Sequence, residues 1–187
     1  MRDDLDIIIP IFGVENELWR CLQSFCQQTV DCFTAYLVDD GSRDASGLIA
    51  DSYALNRQQF ICMHKPNGWL SSARNAGLCL ADGDYNSFVD SDDYVTNDYY
   101  EKCVKLVIRS KPDLLMHGHI SVSSSNVDIS ESAYPNHEEH PFLDFLHVSG
   151  CQSAWGKVYN RQVIMRMCEG EGYSTKKYGM GKTLSFY

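Results

Sequence analysis

With 187 residues, 44% of them hydrophobic, the chain is long enough to bury one sizeable core and fits a single compact unit. A formal net charge of −9 disfavours wrapping nucleic acid or docking on anionic lipid, so a phosphate-bearing ligand needs local cations. No apolar run approaches the roughly 20 residues of a membrane-spanning helix, and the acidic start Met1 to Asp6 does not read as a secretory leader. The expected location is the cytoplasm, or the inner face of a membrane reached peripherally. The eight cysteines form no Cys-x-x-Cys pair and read mostly as reduced core residues.

The first half repeats one unit: a short apolar run, a turn, then a stretch of helical period, which predicts a mostly parallel sheet with crossover helices. Ile7-Ile8-Ile9 reads as a strand buried on both faces and ended by Pro10. Leu18, Cys21, Leu22 and Phe25 then mark the first helix, with Asn16 as its N-cap. Tyr36-Leu37-Val38 is a second strand that runs into Asp39-Asp40-Gly41-Ser42. Asp44 is placed to cap a helix carrying Leu48, Ile49, Ser52 and Tyr53. Phe60 to Met63 is a third strand, Asn67-Gly68 a turn, and Leu70, Ala73, Ala76, Gly77 and Leu80 line a third helix. Tyr85 to Val89 is a fourth strand ending at Asp90-Ser91-Asp92-Asp93. A helix marked by Tyr100, Cys103, Val104, Val107 and Ile108 and a strand at Leu114 to Met116 follow. Beyond about Gly118 the rhythm is lost: Ser121 to His140 reads as a long polar surface loop, Pro141 to Val148 as a short helix. Trp155 to Tyr159 leads into a helix with Val163, Ile164 and Met167.

In an open parallel sheet, ligands bind beyond the carboxyl ends of the strands. Three segments fall there: Pro10 to Glu15, Asp39 to Ser42, and Asp90 to Asp93. Several carboxylates on one turn repel each other unless a cation or donors compensate, and oxygen ligands suit Mg²⁺ or Mn²⁺. A solvated turn capping the next helix reads the same residues equally well. Asp39 to Ser42 is either a tight turn or a carboxylate that accepts an N–H from a pyrimidine base. Arg74 is by default a solvent-facing helix residue; beside a diphosphate it offers a fixed guanidinium fork. The histidine pairs His117/His119 and His137/His140 read as surface or core residues more readily than as a transition-metal site.

Taken together and in this order, four blocks resemble family 2 of the inverting glycosyltransferases. They are Ile8-Ile9-Pro10-Ile11-Phe12, Val38 to Asp44, Asn67-Gly68 with Ala73-Arg74-Asn75-Ala76-Gly77, and Asp90 to Asp93. The resemblance covers roughly residues 5 to 110 closely. It implies an α/β fold of the GT-A type: a Rossmann-like, mostly parallel sheet flanked by helices, in a single domain with a variable C-terminal acceptor segment. A nucleotide-sugar-binding core over 1–118 and an acceptor-side segment over 119–187 are expected. The implied function is transfer of a sugar, with inversion, from a nucleotide diphosphate sugar, best a UDP-sugar, to a saccharide or lipid-linked acceptor in glycan synthesis. By the same resemblance Pro10, Phe12 and Glu15 border the nucleoside and Asp39 contacts its base. Arg74 approaches the phosphates, Asp90 with Ser91 contacts the ribose or metal, and Asp92 ligates Mn²⁺ or Mg²⁺.

A weaker match, Ser153 to Arg161, looks like the family's Trp-x-Lys-x-Tyr block, although an aromatic strand closing the core reads Trp155 and Tyr159 as well. The Glu-Asp pair that the family places next, whose Asp is the catalytic base, is absent, for Gly172 to Tyr187 contains no Asp or Glu. A permissible codon choice read in another frame spells such a pair, which makes a frameshifted tail an expectation that the encoding DNA tests. Without it, the base is sought among Asp128, Glu131, Glu138 and Glu139. Two rival readings remain: a nucleotide-sugar-binding remnant without turnover, and a nucleotidyltransferase on a related sheet.

Overall fold

The computed structural model describes residues 4–122, 129–132 and 153–169. Its centre is strand β1 (Leu5–Ile11), every residue of which is buried. β1 runs parallel to β2 (Phe33–Asp39) on one side and to β4 (Tyr85–Phe88) on the other, while β3 (Phe60–His64) runs parallel to β2 at the edge. Beyond β4, strand β8 (Lys157–Asn160) lies antiparallel between β4 and β5 (Leu114–Met116), giving the order β3-β2-β1-β4-β8-β5. A separate hairpin joins β6 (His119–Val122) to β7 (Ile129–Ser132).

Both faces of β1 are covered, which is why its sequence shows no polar alternation. Ile7, Ile9 and Ile11 enter a core with Leu18, Leu22 and Phe25 of α1 (Leu18–Cys26), Ala50 of α2 (Ser46–Asn56) and Tyr100 of α4 (Tyr99–Ser110). Ile8 enters a second core with Tyr36, Val38, Phe88 and Ala73 of α3 (Trp69–Leu80). Gly77 is what lets α3 lie close on the sheet: a Cβ there would sit 2.5 Å from Ile8 Cγ2 and 3.1 Å from Val38 Cγ2. Helix α5 (Arg161–Glu169) follows β8 directly, and its Ile164 is buried.

Several expected details differ. Helix α1 starts after Glu17 rather than Asn16, with no side-chain cap; the Val14 carbonyl instead accepts the N–H groups of Glu17 (3.1 Å) and Leu18 (2.9 Å). Leu48, Leu70 and Leu80 are exposed, because α2 and α3 turn small residues, Ala50, Ala73 and Gly77, toward the sheet; Ile108 is exposed too, since α4 buries Tyr100, Cys103 and Val107. Part of the expected loop is strand: Ile120 and Val122 alternate with polar residues, and that short period of two pairs His119–Val122 with Ile129–Ser132. The expected helix at Pro141 to Val148, His137, His140 and the tail from Gly170 lie outside the described residues.

Candidate functional site

The carboxyl ends of β3, β2, β1 and β4 stand side by side, so the loops that follow them share one edge of the sheet. Main-chain bonds continue the ladder into these loops: Asp40 N–H donates to Ile11 O (2.9 Å), Lys65 N–H to Asp39 O (2.9 Å) and Val89 N–H to Ile8 O (3.1 Å). The loop after β1 is sewn to the loop after β2. Gly13 N–H donates to Ser42 Oγ (3.2 Å), Val14 N–H to Ser46 Oγ (2.9 Å) and Glu15 N–H to Asp44 Oδ2 (3.2 Å). Glu15 returns the contact, its Oε2 accepting the Ala45 N–H at the start of α2 (2.8 Å). Pro10 is buried within β1, whereas the ring of Phe12 is left exposed on the rim.

Asp39 is only 5% exposed. Its Oδ1 accepts the Ser42 N–H at 3.0 Å, and its Oδ2 lies 2.8 Å from Nδ1 of His64, its ladder partner on β3. Burial opposes ionisation of this carboxyl, but hydrogen bonds from Ser42 and His64 outweigh it and hold the group below its ordinary value. His64 in turn lies between two carboxylates, with Asp51 Oδ1 2.9 Å from Nε2; the Asp39 and Asp51 hydrogen bonds raise its pKa. Asp40 faces the next loop, where its carboxylate accepts the Lys65 ammonium and the Gly68 N–H at 3.0 and 3.1 Å. Gly41 has φ +77°, and a Cβ there would press to 3.0 Å of Asn67 N, so this turn admits glycine alone without strain.

On the other side of β1, Arg74 reaches the end of β4 from α3. Nη2 donates to Asp90 Oδ1 at 2.5 Å, and the Arg74 side chain is 3% exposed while that of Asp90 is 25% exposed. The default of a solvent-facing arginine therefore does not hold; apolar packing of α3 carries the guanidinium inward, and its Nε is buried without a partner among the described residues. Asp90 O accepts the Asp93 N–H (3.0 Å), which closes a tight turn with Ser91 buried and Asp92 exposed. Arg20 braces this turn, donating to Asp92 O at 3.2 Å and lying 4.8 Å over the Tyr94 ring. Partial burial, then repulsion by Asp92 and Asp90, raises the pKa of the Asp93 carboxyl.

Antiparallel β8 brings a far segment to the same edge, since Val158 pairs with Ser87 and the residues before it pass the end of β4. The Lys157 ammonium is buried against the Ser153 carbonyl, and Ser87 Oγ donates to Lys157 O at 3.0 Å. Trp155 meets the His119 ring edge-on at 5.0 Å, and Tyr99 Oη lies 2.5 Å from His117 Nε2. These histidines thus pack with aromatic neighbours. Tyr159 packs edge-on against Phe88 at 5.9 Å, so that tyrosine does close the core.

Asp90, Asp92 and Asp93 do not converge as a closed cage; among the described residues the group of three ligand atoms within 4.8 Å is Asp51, Cys62 and His64. An open turn with one or two carboxylates fits Mg²⁺ or Mn²⁺, which keep waters and share phosphate oxygens instead of filling an all-protein cage. Sequence reasoning locates Asp39, Arg74 and Asp90 to Asp93 at this edge but passes over Asp40, Lys65 and His64. The register of β2 on β3 would have found His64, for it ends its strand beside Asp39.

Comparison with known proteins agrees with this architecture. The profile of "Glycosyl transferase family 2" matches residues 6–167. The chain is 31% identical over 184 residues to glycosyltransferase GlyA of Streptococcus pneumoniae, covering 88% of this chain but 25% of that protein. Among solved structures, S. aureus TarS 1-349 in complex with UDP-GlcNAc superposes with a TM-score of 0.71 at 21% identity, over 88% of this chain and 47% of that one. The mannosyltransferase PcManGT from Pyrobaculum calidifontis, in complex with GDP-Man and Mn²⁺, gives 0.63 at 16% identity, over 94% and 48%. The chain thus spans a quarter of GlyA and about half of each structural neighbour. Six strands in this order, flanked by helices, are the GT-A fold of these transferases. With the profile spanning both the parallel core and the returning strand β8, the chain belongs to glycosyl transferase family 2.

Proposed function

We propose that this chain binds a nucleotide diphosphate sugar, best a UDP-sugar, and carries the donor half of an inverting sugar transfer to a saccharide or lipid-linked acceptor. The observation that supports it most is the convergence of Asp39 and the Arg74–Asp90 pair on the loops flanking the end of β1. Residues 1–118 form the donor side and 119–187 the acceptor side, with β8 reaching back into the core sheet. Asp39, its geometry set by Ser42 and His64, accepts the base N–H; Phe12 and Glu15 wall the nucleoside, and Pro10, buried in β1, lies behind them instead of lining the wall. Arg74 orients Asp90 and partly offsets its charge, so the turn faces the diphosphate with Asp92 exposed, Asp90 part-exposed and Ser91 buried between them. Asp92, with Asp90, would hold Mn²⁺ or Mg²⁺, which offsets negative charge on the leaving group. TarS with UDP-GlcNAc and PcManGT with Mn²⁺ support the donor and metal classes. In the reaction an acceptor hydroxyl oxygen bonds to the anomeric carbon, the bond from that carbon to the phosphate oxygen breaks, and a carboxylate takes the hydroxyl proton.

A thermal-shift panel of UDP, GDP and their sugars, with and without Mn²⁺, tests the reading. Stabilisation by a UDP-sugar that depends on Mn²⁺ is expected; no response to any nucleotide overturns it. Asp92→Ala should remove the Mn²⁺ dependence and leave the circular dichroism spectrum intact, because an exposed turn carboxylate contributes little to the core. Unchanged Mn²⁺ dependence overturns the metal assignment. Release of free nucleoside diphosphate supports glycosyl transfer, and release of pyrophosphate supports the nucleotidyltransferase alternative. Binding without turnover across many acceptors favours the remnant, a reading that the carboxylate-free segment from Gly172 to Tyr187 motivates.

A further inference from the structure

We propose that Asp51, Cys62 and His64 form a binding site for zinc or a similar borderline-soft divalent ion, separate from the oxygen site at Asp90 and Asp92. Cys62 and His64 are two residues apart on β3 and so project from the same face of that strand, and α2 supplies Asp51 opposite them. His64 Nε2 lies 2.9 Å from Asp51 Oδ1 and 3.7 Å from Cys62 Sγ, and all three ligand atoms lie within 4.8 Å of one another. An ion with bonds of about 2.0–2.1 Å to nitrogen, 2.3 Å to sulfur and 2.0–2.2 Å to oxygen sets tetrahedral neighbours about 3.3–3.7 Å apart. The two contacts at His64 bracket that spacing, so small side-chain adjustments admit the ion.

Two further features fit. β3 is the edge strand of the sheet, and the side chains of His64 and Asp51 are 48% and 45% exposed, which leaves an entry path and a fourth position for water. The other ring nitrogen, Nδ1, lies 2.8 Å from Asp39 Oδ2, the carboxylate–histidine arrangement that orients an imidazole for a metal. Thiolate and imidazole ligands favour Zn²⁺, whereas the carboxylates of the Asp90 turn favour Mg²⁺ or Mn²⁺. An ion on Nε2 fixes the remaining ring proton on Nδ1, where it is donated to Asp39. Occupancy therefore holds Asp39 in its acceptor orientation and tightens nucleoside binding, a coupling that rests on the role of Asp39 proposed above.

Titration of the whole purified chain with Co²⁺ tests the site directly, because a thiolate ligand gives a near-ultraviolet charge-transfer band. The band is expected, with displacement by Zn²⁺, and should vanish in Cys62→Ser although the other cysteines remain. Asp39→Asn should keep the band and weaken Zn²⁺, measured against a chromophoric chelator, by about 10- to 100-fold. No band, or a band that persists in Cys62→Ser, overturns the site. If Cys62→Ser does not fold, His64→Gln serves, and a Zn²⁺ affinity unchanged in that variant overturns it equally. Uridine binding is then measured with and without Zn²⁺. An unchanged affinity while the band is present overturns the coupling alone, and absence of any uridine binding overturns the role of Asp39 while the metal site stands.

Discussion

Trp69 is the first residue of α3, its φ is +70°, and its indole is 82% exposed. A bulky side chain in the left-handed region costs about 1–2 kcal/mol, and an exposed indole recovers little of that through packing. Glycine there relieves the strain but adds about 0.4–1 kcal/mol of unfolded-chain entropy. Trp69→Gly should therefore raise stability by about 0.5–1 kcal/mol, read as a higher urea midpoint; a lower midpoint would show that the indole makes contacts worth more than the strain. Asp6 makes a second case. It is buried on β1 with Oδ2 accepting the N–H groups of Asp82 (2.9 Å) and Gly83 (2.8 Å). Burial raises its pKa above 3.8 despite those bonds, and burial, then the charge of Asp6, pushes the Tyr36 hydroxyl up to about 12. An acid whose folded pKa is raised stabilises the fold while protonated and gives that stability up as pH rises from 3.8 through the folded value. An asparagine side chain in its place would keep one oxygen for both N–H groups and has no charge to bury. The melting temperature of Asp6→Asn relative to the parent should thus climb from acid pH to neutrality, and a flat difference would remove Asp6 as the titrating group.

Among the elements, α3 shows where pattern reading succeeds and where it stops. Ala73 and Gly77 are legible as its buried face, but hydrophobicity alone also turns Leu70 and Leu80 inward, and both are exposed. The helix approaches β1 and β2 through small residues, and size complementarity leaves no hydrophobic signal in a sequence. Gly77→Ala tests that close approach. Alanine gains about 1 kcal/mol of helix propensity, yet its methyl would meet Ile8 Cγ2 at 2.5 Å, a stiff β-branched side chain with no exposed surface to move into. Overpacking of about 1–3 kcal/mol should win, lowering the urea midpoint; a midpoint that rises would mean that α3 slides at no cost. β1 is readable because its unbroken isoleucine run marks burial on both faces, and β2 and β4 because Asp39 and Asp90 follow their last apolar residues and mark the carboxyl edge. The hairpin β6–β7 is not, since its alternation spans four residues per strand and its composition is mostly polar. At the site, Asp39 and the Asp90 turn are legible from carboxylates at strand ends. The inward path of Arg74 and the bridging position of His64 depend on packing and register, which no local pattern carries.

For the whole molecule, the returning strand β8 decides how much of the sheet is one cooperative unit. Leu114–Met116 meets the sheet through β8 alone among the described strands, and Val158 at its centre is fully buried. Val158→Asp places an unpaired charge there, at a cost of about 3 kcal/mol or more. Losing β8 should release β5 as well, so the denaturant m-value should fall together with the midpoint. A midpoint shift at constant m would show that the far half of the sheet holds without β8.

The same insertion has a consequence during synthesis. β4 is complete at Phe88, but the strand that covers its outer edge is not made until Asn160, on the order of ten seconds later at about 5–20 residues per second. For that interval the nascent sheet presents a bare edge, the usual template for pairing with another chain. Two of the four residues of that edge, Asn86 and Ser87, are polar, although both are fully buried in the finished fold. Ser87 finds its partner in the Lys157 carbonyl when β8 arrives, and Asn86 donates to Gly83 O (3.2 Å) while its Oδ1 stays without a partner among the described residues. That buried polarity costs the native state something, and it keeps the waiting strand wet. Replacing Asn86 and Ser87 by valine would make a stickier nascent chain, whatever it does to the folded one.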